Sequence, residues 1–357
     1  MSQSEASQRL ERDAELARYN RQMLFAQIGE EGQRKLLASR VTLVGCGALG
    51  TVIADTLARA GVGNLRIVDR DYVELNNLQR QVLFDERDVE EGSPKAVAAA
   101  EKLTRINSAI RVEPIVADVH SANIEELCKD ANLILDGTDN FETRFLINDA
   151  AVKLRIPWVY GACVGVTGMV MPILPGETAC LRCVWDEPPP PGMNPTCDTA
   201  GVLGPVVHLV ASLQCMEAIK LLTGRLDAVS RKLVQIDAWT GAFSDFDLSG
   251  SRAAGSCVCC RQGRYEYLNA KKSGRTASLC GRMAVQVSAG PSGVVDLPGV
   301  AARIAPVAKS PPQLNRYLLR FAVEQYEITL FRDGRAIIKG TNEPDEARTV
   351  YARYVGS

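Results

Sequence analysis

The first half of the chain alternates between short apolar runs and longer segments whose apolar residues recur at helical spacing. Residues 41–50, VTLVGCGALG, form a β-branched run that ends in glycines. Residues 51–61, TVIADTLARAG, place apolar side chains three and four positions apart, as a helix requires. Similar strand and helix patterns continue as far as Asn140. Strands separated by helices pair through right-handed crossovers, so this region predicts a mostly parallel sheet covered by helices.

The sheet is predicted to turn antiparallel in the segment GVTGMVMPILP, which has period-two patterning and glycines. Residues 186–201 include four consecutive prolines, and we expect a long exposed loop without regular structure there. An apolar helix over residues 202–224 and a strand over residues 232–239 complete the sheet. The predicted fold class is α/β, a Rossmann-like, mostly parallel sheet with an antiparallel extension.

A change of pattern past Arg261 predicts a second module. Residues 267–290 are polar with one short strand, and residues 294–307 have the apolar spacing of a helix. A strand, a hairpin with Asp333 and Gly334 at its turn, and a closing helix follow. The sequence thus predicts a polar N-terminal arm (1–17), a main α/β domain (18–262) and an accessory α+β C-terminal domain (263–357).

Composition narrows the possible classes of protein. The 357 residues are 46% hydrophobic and 23% charged, with a formal net charge of -1, whereas nucleic-acid-binding proteins are usually basic. The polar N-terminus lacks the apolar core of a signal peptide, and no apolar run approaches the roughly 20 residues of a membrane span. We therefore expect a cytoplasmic protein that binds neither nucleic acid nor a membrane. In such a setting the eleven cysteines indicate metal ligands or reactive thiols rather than disulfides.

The segment GCGALG matches GxGxxG through Gly45, Gly47 and Gly50, between a predicted strand and a predicted helix. Bare backbone N–H groups and a helix N-terminus can bind a phosphate at such a turn. Asp69 ends the next predicted strand, where a carboxylate can accept hydrogen bonds from a ribose. These features alone fit either an NAD-dependent oxidoreductase or an enzyme that acts on a nucleoside triphosphate.

Polar and charged residues near other strand ends favour the triphosphate. Attack on a triphosphate requires cations and a metal ion to neutralise charge on the phosphoryl oxygens, and a dehydrogenase has less need of them. Asp139 follows another strand, where a carboxylate can hold Mg²⁺ on substrate phosphates. The other candidates for this site are Asn77, Arg80, Gln81 and Lys95.

Two CxxC pairs with a long insert, formed by Cys180, Cys183, Cys257 and Cys260, predict a closed four-cysteine zinc site. Four thiolates leave no open position for water, so the zinc is expected to be structural. Cys259 is an alternative to Cys260, and a redox role for either pair is the competing interpretation. The chain has two histidines, His120 and His208, which we expect on the surface and packed on an apolar helix, respectively.

Several further motifs complete the pattern along the chain. Together they are RYNRQ (18–22), GCGALG, DRDYVELNNLQRQ (69–81), Lys95, DGTDN (136–140), the two CxxC pairs and TCDTAG (196–201). This set of motifs resembles the ThiF/MoeB family of ubiquitin-activating-type enzymes. The resemblance spans nearly the whole chain, and the tail resembles the longer ThiF proteins of thiazole biosynthesis. Ala48 stands where the family often has a glycine.

This resemblance implies a role for each candidate residue. Asp69 would bind the ribose of ATP, and Asp139 would bind Mg²⁺. Arg21 would reach the γ-phosphate across the interface of a homodimer. Cys197 would form a thioester or persulfide with the partner protein. Phosphate binding would fall to Asn77, Arg80 and Lys95.

The reaction implied is adenylation of the C-terminal glycine of a ubiquitin-like sulfur-carrier protein that ends in Gly-Gly. The carrier would be ThiS-like or MoaD-like, serving thiamine thiazole or molybdopterin biosynthesis. A carboxylate is already ionised at neutral pH, so no basic catalyst is needed, and a chain with two histidines can be such an enzyme. The competing functions are an NAD-dependent oxidoreductase and a non-catalytic scaffold that recruits partners.

Overall fold

A computed structural model describes residues 16–188, 197–253, 255–269, 278–279, 284–288 and 295–356. The chain divides into two compact units, residues 1–273 and 274–357. The predicted domain boundary between residues 262 and 263 stays a prediction.

The first unit is built on one eight-stranded sheet in the order β3-β2-β1-β4-β5-β6-β7-β8. Its strands are β1 (Arg40–Val44), β2 (Asn64–Asp69), β3 (Arg111–Val116), β4 (Leu133–Asp136), β5 (Trp158–Val164), β6 (Thr167–Ile173), β7 (Lys232–Asp237) and β8 (Ala242–Asp247). Strands β1 to β5 pair in parallel, and β6, β7 and β8 pair antiparallel. The predicted fold class is confirmed.

Helices flank this sheet and link its strands. They are α1 (Asn20–Met23), α2 (Gly29–Ala38), α3 (Ala48–Ala60), α4 (Glu86–Glu90), α5 (Lys95–Ile106), α6 (Ile124–Cys128), α7 (Phe141–Leu154), α8 (Leu181–Val184), α9 (Cys197–Ala200), α10 (Gly204–Thr223) and α11 (Ser249–Ala253). Single 3₁₀ turns occupy Ala17–Tyr19, Leu75–Asn77 and Leu226–Ala228. Two apolar clusters form the core, and different residues of the sheet contribute to each of them.

Two glycine turns pack backbone to backbone where β1 and β4 end. Gly45 has a φ of 89°, in the left-handed region that favours glycine. A Cβ on Gly137 would lie 2.3 Å from the carbonyl oxygen of Gly45, and a Cβ on Gly50 would lie 2.1 Å from the same atom. Only hydrogen fits at these two positions, so the glycines allow the ends of β1 and β4 to meet the start of α3.

The helix α10 is long and apolar enough to span a membrane by length and composition alone. Its side chains Val206, Val207 and Val210 are fully buried in the core of the first unit. It is therefore a core helix rather than a membrane span. His208 projects from α10 to the exterior, so the expectation that it is packed is wrong, whereas His120 is exposed as expected.

The second unit has an antiparallel sheet in the order β11-β12-β13-β14-β10-β9. Its apolar face packs against two helices through Leu319, Ile328 and Ile338. Gly334 has a φ of 84° at the predicted hairpin turn. The elements are β9 (Ser278–Leu279), β10 (Ala284–Ser288), α12 (Leu297–Ile304), β11 (Gln313–Leu314), β12 (Leu318–Val323), β13 (Tyr326–Phe331), β14 (Arg335–Lys339) and α13 (Pro344–Tyr354).

Two expectations for the first unit need correction. Residues 186–201 are not wholly irregular, because α9 begins at Cys197; residues 189–196 lie outside the described part of the chain. The strand β8 was not expected, because every residue of its sequence AFSDFD is exposed and its side chains carry no burial pattern.

We expect Gly137→Ala to destabilise the first unit by about 1–3 kcal/mol, because the new methyl group overlaps the Gly45 carbonyl. Urea unfolding followed by tryptophan fluorescence measures the change. Gly250→Ala is the matched control, since a Cβ there meets no atom within 4 Å. Equal stability of the two variants would contradict the close packing described here.

Candidate active site

The carboxylate of Asp69, at the end of β2, is fixed by the backbone of its neighbours. The amide of Cys46, in the glycine turn, donates to Asp69 Oδ2 at 2.6 Å, and the amide of Asp71 donates to Asp69 Oδ1 at 2.7 Å. Burial raises the pKa of Asp69, and the nearby Lys95 ammonium acts in the opposite direction. The glycine turn and Asp69 therefore form one rigid surface at the carboxyl edge of the sheet.

Lys95 opens α5 and is buried beside this surface. Its Nζ lies 3.5 Å from Asp71 Oδ2, and its amide donates to the Asp71 carbonyl at 2.9 Å. A buried ammonium needs a counter-charge, and Asp71 supplies it. Lys95 and Asp69 are thus brought together as predicted, although Asp71 was not among the predicted site residues.

The turn after β2 carries three more of the predicted residues. Asn77 is fully buried, and its Oδ1 accepts from the Glu74 amide at 3.1 Å. Arg80 NH1 donates to the Asn76 carbonyl at 2.8 Å and forms no ion pair within the described residues. The guanidinium of Arg80 is therefore oriented by the backbone and keeps its charge available.

Gln81, in the same turn, approaches the glycine turn. Its Nε2 would lie 3.9 Å from a Cβ on Gly47, and no other side chain comes closer to that point. Its Oε1 is buried and has no hydrogen-bond partner among the described residues. The space beside the Gly47 backbone and the unpartnered Gln81 Oε1 therefore fit a bound polar ligand, such as the phosphate or sugar of a nucleotide.

One aspartate ends β4 and a second follows it, and only the second is free of hydrogen bonds and ion pairs within the described residues. Asp136 is fully buried and holds Arg144 Nε at 3.1 Å, so it serves the structure. Asp139 is exposed and makes no hydrogen bond or ion pair in the part of the chain that the structure describes. Burial acts to lower the pKa of Arg70 and of Arg144, but nearby acidic groups outweigh it; Asp139 adds to the effect of Asp71 on Arg70 and of Asp136 on Arg144, so it lies near both arginines. The carboxylate of Asp139 is thus available as a metal ligand at this edge, and Mg²⁺ prefers oxygen ligands.

Arg70, which the sequence analysis did not select, joins the ends of β2 and β3. Its NH1 donates to Asp118 Oδ1 at 2.9 Å, and its Nε lies 3.8 Å from Asp71 Oδ1. Burial acts to lower the pKa of Arg70, but the carboxylates of Asp71, Asp118 and Asp139 outweigh it and raise that pKa.

Arg21 lies away from these groups within its own chain. The neighbouring Gln22 Nε2 donates at 3.0 Å to the carbonyl of Ala60, which is the last residue of α3. The glycine turn precedes the other end of this 13-residue helix, about 20 Å away at 1.5 Å per residue. Arg21 is exposed and unpaired within the described residues.

Cys197 begins the short helix α9, and its side chain lies outside the described part of the structure. The segment that follows is anchored near the carboxyl end of β5. There the Gly165 amide donates to the Gly201 carbonyl at 2.8 Å, and the Leu203 amide donates to the Gly165 carbonyl at 3.0 Å. The backbone after α9 is thereby held at the carboxyl edge of the sheet, the edge at which Asp69 also lies.

The four predicted zinc ligands converge in space. All four sulfurs of Cys180, Cys183, Cys257 and Cys260 lie within 4.8 Å of one another. The Sγ separations of 3.5, 3.6 and 3.8 Å match the edges of about 3.8 Å in a tetrahedron with Zn–S bonds near 2.3 Å. The donor set and the spacing therefore fit a structural Zn²⁺.

Cys259 lies outside this cluster and has a different environment. Asn148 Nδ2, from α7, donates to Cys259 Sγ at 3.3 Å, and Asn148 Oδ1 accepts from the Leu181 amide at 2.8 Å. Asn148 thereby ties both cysteine pairs to α7. The other buried cysteines are Cys46, Cys128, Cys163 and Cys215. Cys280 lies outside the described residues.

Comparison with known proteins yields one family and several relatives. The family model described as "ThiF family" matches residues 19–259. "Sulfur carrier protein ThiS adenylyltransferase" of Bacillus subtilis is 43% identical over 339 residues, which are 95% of this chain and 99% of that protein. The protein of the same name from Escherichia coli is 38% identical over 249 residues, which are 70% of this chain and 96% of that protein.

A solved structure shares the fold. "Crystal structure of E. coli MccB + ATP" superposes with a TM-score of 0.59 at 24% identity, and covers 69% of this chain and 75% of that one. At this identity the likeness concerns the fold alone.

We expect the purified protein to contain about one zinc per chain, because four thiolates at tetrahedral spacing bind Zn²⁺ tightly. Metal analysis by mass spectrometry measures the content. Cys257→Ser should lose the metal and unfold at a lower temperature, whereas Cys128→Ala, a buried cysteine outside the cluster, should retain it. Well under one zinc per chain in protein prepared without chelator would contradict the site.

Proposed function

This chain belongs to the ThiF family, and we propose that it uses ATP to adenylate the C-terminal carboxylate of a sulfur-carrier protein. The observation that carries the proposal is the placement of Asp69 and Lys95 beside the glycine turn, with Arg80 in the turn after β2 and Asp139 after the neighbouring strand β4. Relatives named as adenylyltransferases of sulfur-carrier proteins match the chain across 95% and 70% of its length. The buried Lys95 and the oriented Arg80 are cations that a nicotinamide enzyme would not require.

We assign one role to each group at this edge. Asp69 accepts hydrogen bonds from the ribose hydroxyls, and the glycine turn with the N-terminus of α3 faces the phosphates. Arg80 and Lys95 bind the phosphate oxygens, with Asn77 and Gln81 as neutral donors. Asp139 would hold Mg²⁺, and the ion would supply positive charge to neutralise the phosphates.

The reaction follows from this placement. An oxygen of the carrier's terminal carboxylate attacks the α-phosphorus of ATP, and a new C–O–P linkage forms. The bond between the α-phosphorus and its bridging oxygen breaks, and pyrophosphate leaves with the electron pair. No proton has to be removed from the nucleophile, because a carboxylate is ionised at neutral pH. Arg80 and Lys95 stabilise the charge that spreads over the phosphoryl oxygens and the leaving group.

Cys197 is proposed to act after adenylation. A thiol at the carboxyl edge of the sheet can displace AMP from the acyl adenylate, and the products are a thioester and free AMP. Adenylation itself needs no thiol, so the two steps are separable.

The active enzyme is proposed to be a homodimer in which each site uses Arg21 of the partner subunit. Within its own chain Arg21 lies near the end of α3 that is remote from the glycine turn. Exposed apolar side chains flank it at Leu24 and Phe25, and α10 exposes Leu209 and Met216. Large exposed apolar side chains mark interaction surfaces.

A ThiS-like carrier is the proposed substrate, with a MoaD-like carrier as the second candidate. The relative named for ThiS from Bacillus subtilis matches 339 residues and therefore includes most of the second unit. The second unit is proposed to be an accessory domain. A cytoplasmic location is proposed because the relatives are named as adenylyltransferases of a sulfur-carrier protein.

We expect Arg80→Ala and Asp139→Ala each to lower carrier-dependent ATP–pyrophosphate exchange by about 100-fold or more, because each removes a group that stabilises phosphate charge. Exchange of labelled pyrophosphate into ATP measures the rate. Arg87→Ala and Asp227→Ala are matched controls, since both residues are exposed and lie outside the site. Exchange near the wild-type rate in either site variant would refute its assigned role.

Arg21→Ala and Arg80→Ala are expected to complement each other. Co-expressed chains form mixed dimers with one complete site, so about a quarter of wild-type exchange should return if dimers form at random. Arg21 acting within its own chain predicts no recovery. Light scattering of the purified mixture confirms that the dimers form.

A further inference from the structure

The turn that carries Asp139 lies against a buried ion pair that has no part in the reaction described above. Asp136, the last residue of β4, is fully buried, and Arg144, in the first turns of α7, is 5% exposed. Arg144 Nε donates to Asp136 Oδ2 at 3.1 Å. Replacement of such a pair by apolar side chains of similar volume is often neutral for stability, so its contacts with the turn are the better guide to its role.

Both members of the ion pair bind Thr138, the residue before Asp139. The Thr138 amide and Oγ1 donate to Asp136 Oδ1 at 2.9 and 2.7 Å. Arg144 NH2 donates to the Thr138 carbonyl at 2.7 Å. The amide, hydroxyl and carbonyl groups of Thr138 are therefore all bound by the ion pair.

The residue after Asp139 is fixed as well. Asn140 is the N-cap of α7, and its Oδ1 accepts from the Thr143 amide at 2.8 Å. The backbone is thus held on both sides of Asp139, whereas its exposed side chain forms no hydrogen bond or ion pair within the described residues. A free carboxylate on a held backbone is the arrangement expected of a preorganised metal ligand.

Arg144 is itself held from the side of β5. Its NH2 also donates to the Gly161 carbonyl at 3.1 Å, and its Cζ lies 5.4 Å from the centroid of the Tyr160 ring. The guanidinium can bind Asp136, Thr138 and Gly161 at once because its donors form a rigid planar fork. A lysine at this position would keep the positive charge and lose the fork.

We propose that Arg144 is a positioning residue which, together with Asp136, directs the Asp139 carboxylate toward the metal ion bound to ATP. This inference rests on the proposed function, because it takes Asp139 as the Mg²⁺ ligand. Arg144 acts through the turn at Thr138 and is a ligand of neither ATP nor the metal.

Calorimetric titration of the full-length protein with ATP, with and without added Mg²⁺, tests the proposal. The dissociation constant without Mg²⁺, divided by that with Mg²⁺, measures how much the metal contributes to ATP binding. We expect Asp139→Ala to lower this ratio about tenfold and Arg144→Lys to lower it by a similar factor, because loss of a group that orients a metal ligand weakens metal binding to that extent. The double variant should have the ratio of Asp139→Ala, since Arg144 acts through Asp139.

Lys102→Met is the matched control. Lys102 forms an ion pair with Asp88 that joins α5 to α4, and their side chains are 15% and 10% exposed. We expect this variant to unfold at a lower temperature with an unchanged ratio. Thr138→Ala removes one hydrogen bond from the turn and leaves the ion pair of Asp136 and Arg144 in place, so it should lower the ratio about threefold even if Arg144→Lys does not fold.

A wild-type ratio in Arg144→Lys or Thr138→Ala, with a lowered ratio in Asp139→Ala, would overturn the positioning role and leave the proposed function intact. A wild-type ratio in Asp139→Ala would instead refute its metal role in the proposed function, and this inference with it. An equal fall in Lys102→Met, or an additive fall in the double variant, would show an effect that does not pass through Asp139 and would also overturn the proposal.

Discussion

The contact between two glycine turns is the constraint on which the candidate site depends. Gly45 and Gly137 approach so closely that neither position has room for a side chain. This contact brings the ends of β1 and β4 together and leaves the Cys46 amide free to bind Asp69. The residues proposed to bind ribose, phosphate and metal can share one small area because backbone, rather than side chains, fills the space between the strands.

Most charged side chains at this edge of the sheet form ion pairs. Lys95 is buried against Asp71, and Arg70 bridges Asp71 and Asp118, so each cation has a carboxylate nearby. Arg80 and Asp139 are the exceptions among the described residues, since neither has an ion-pair partner. Because Arg80 and Asp139 have no ion-pair partner within the described residues, Arg80 is the group expected to bind phosphate and Asp139 the group expected to bind the metal ion. Asn148 ties the cysteine pairs to α7, the helix that follows Asp139.

The sequence predicted those parts of the site that follow strand ends. Asp69 and Asp139 were predicted to lie at one edge because parallel strands present their carboxyl ends there, and Lys95 was predicted as the residue that opens the next helix. The cluster of four cysteines was predicted because CxxC spacing is typical of zinc ligands. Asp71 could be missed because it resembles a surface carboxylate until its contact with Lys95 is known.

Other features could not be predicted because their causes lie far apart in the chain. Arg70 looks like a solvated residue, and its partner Asp118 is 48 positions away. His208 occupies a helix with apolar residues on most sides, so periodicity does not reveal which side faces outward. The strand β8 is held by pairing with β7, whereas its own side chains are all exposed.

Mass spectrometry of a ThiS-like carrier incubated with this protein and Mg²⁺·ATP tests the central claim most directly. If the assigned groups bind the phosphates of ATP, the ionised carboxylate of the carrier attacks the α-phosphorus. The account therefore predicts a carrier heavier by one adenylyl group, formed together with pyrophosphate and only when ATP is present. The reaction is stopped at short times, and the protein is shown separately to bind ATP. A carrier of unchanged mass under these conditions would contradict the account.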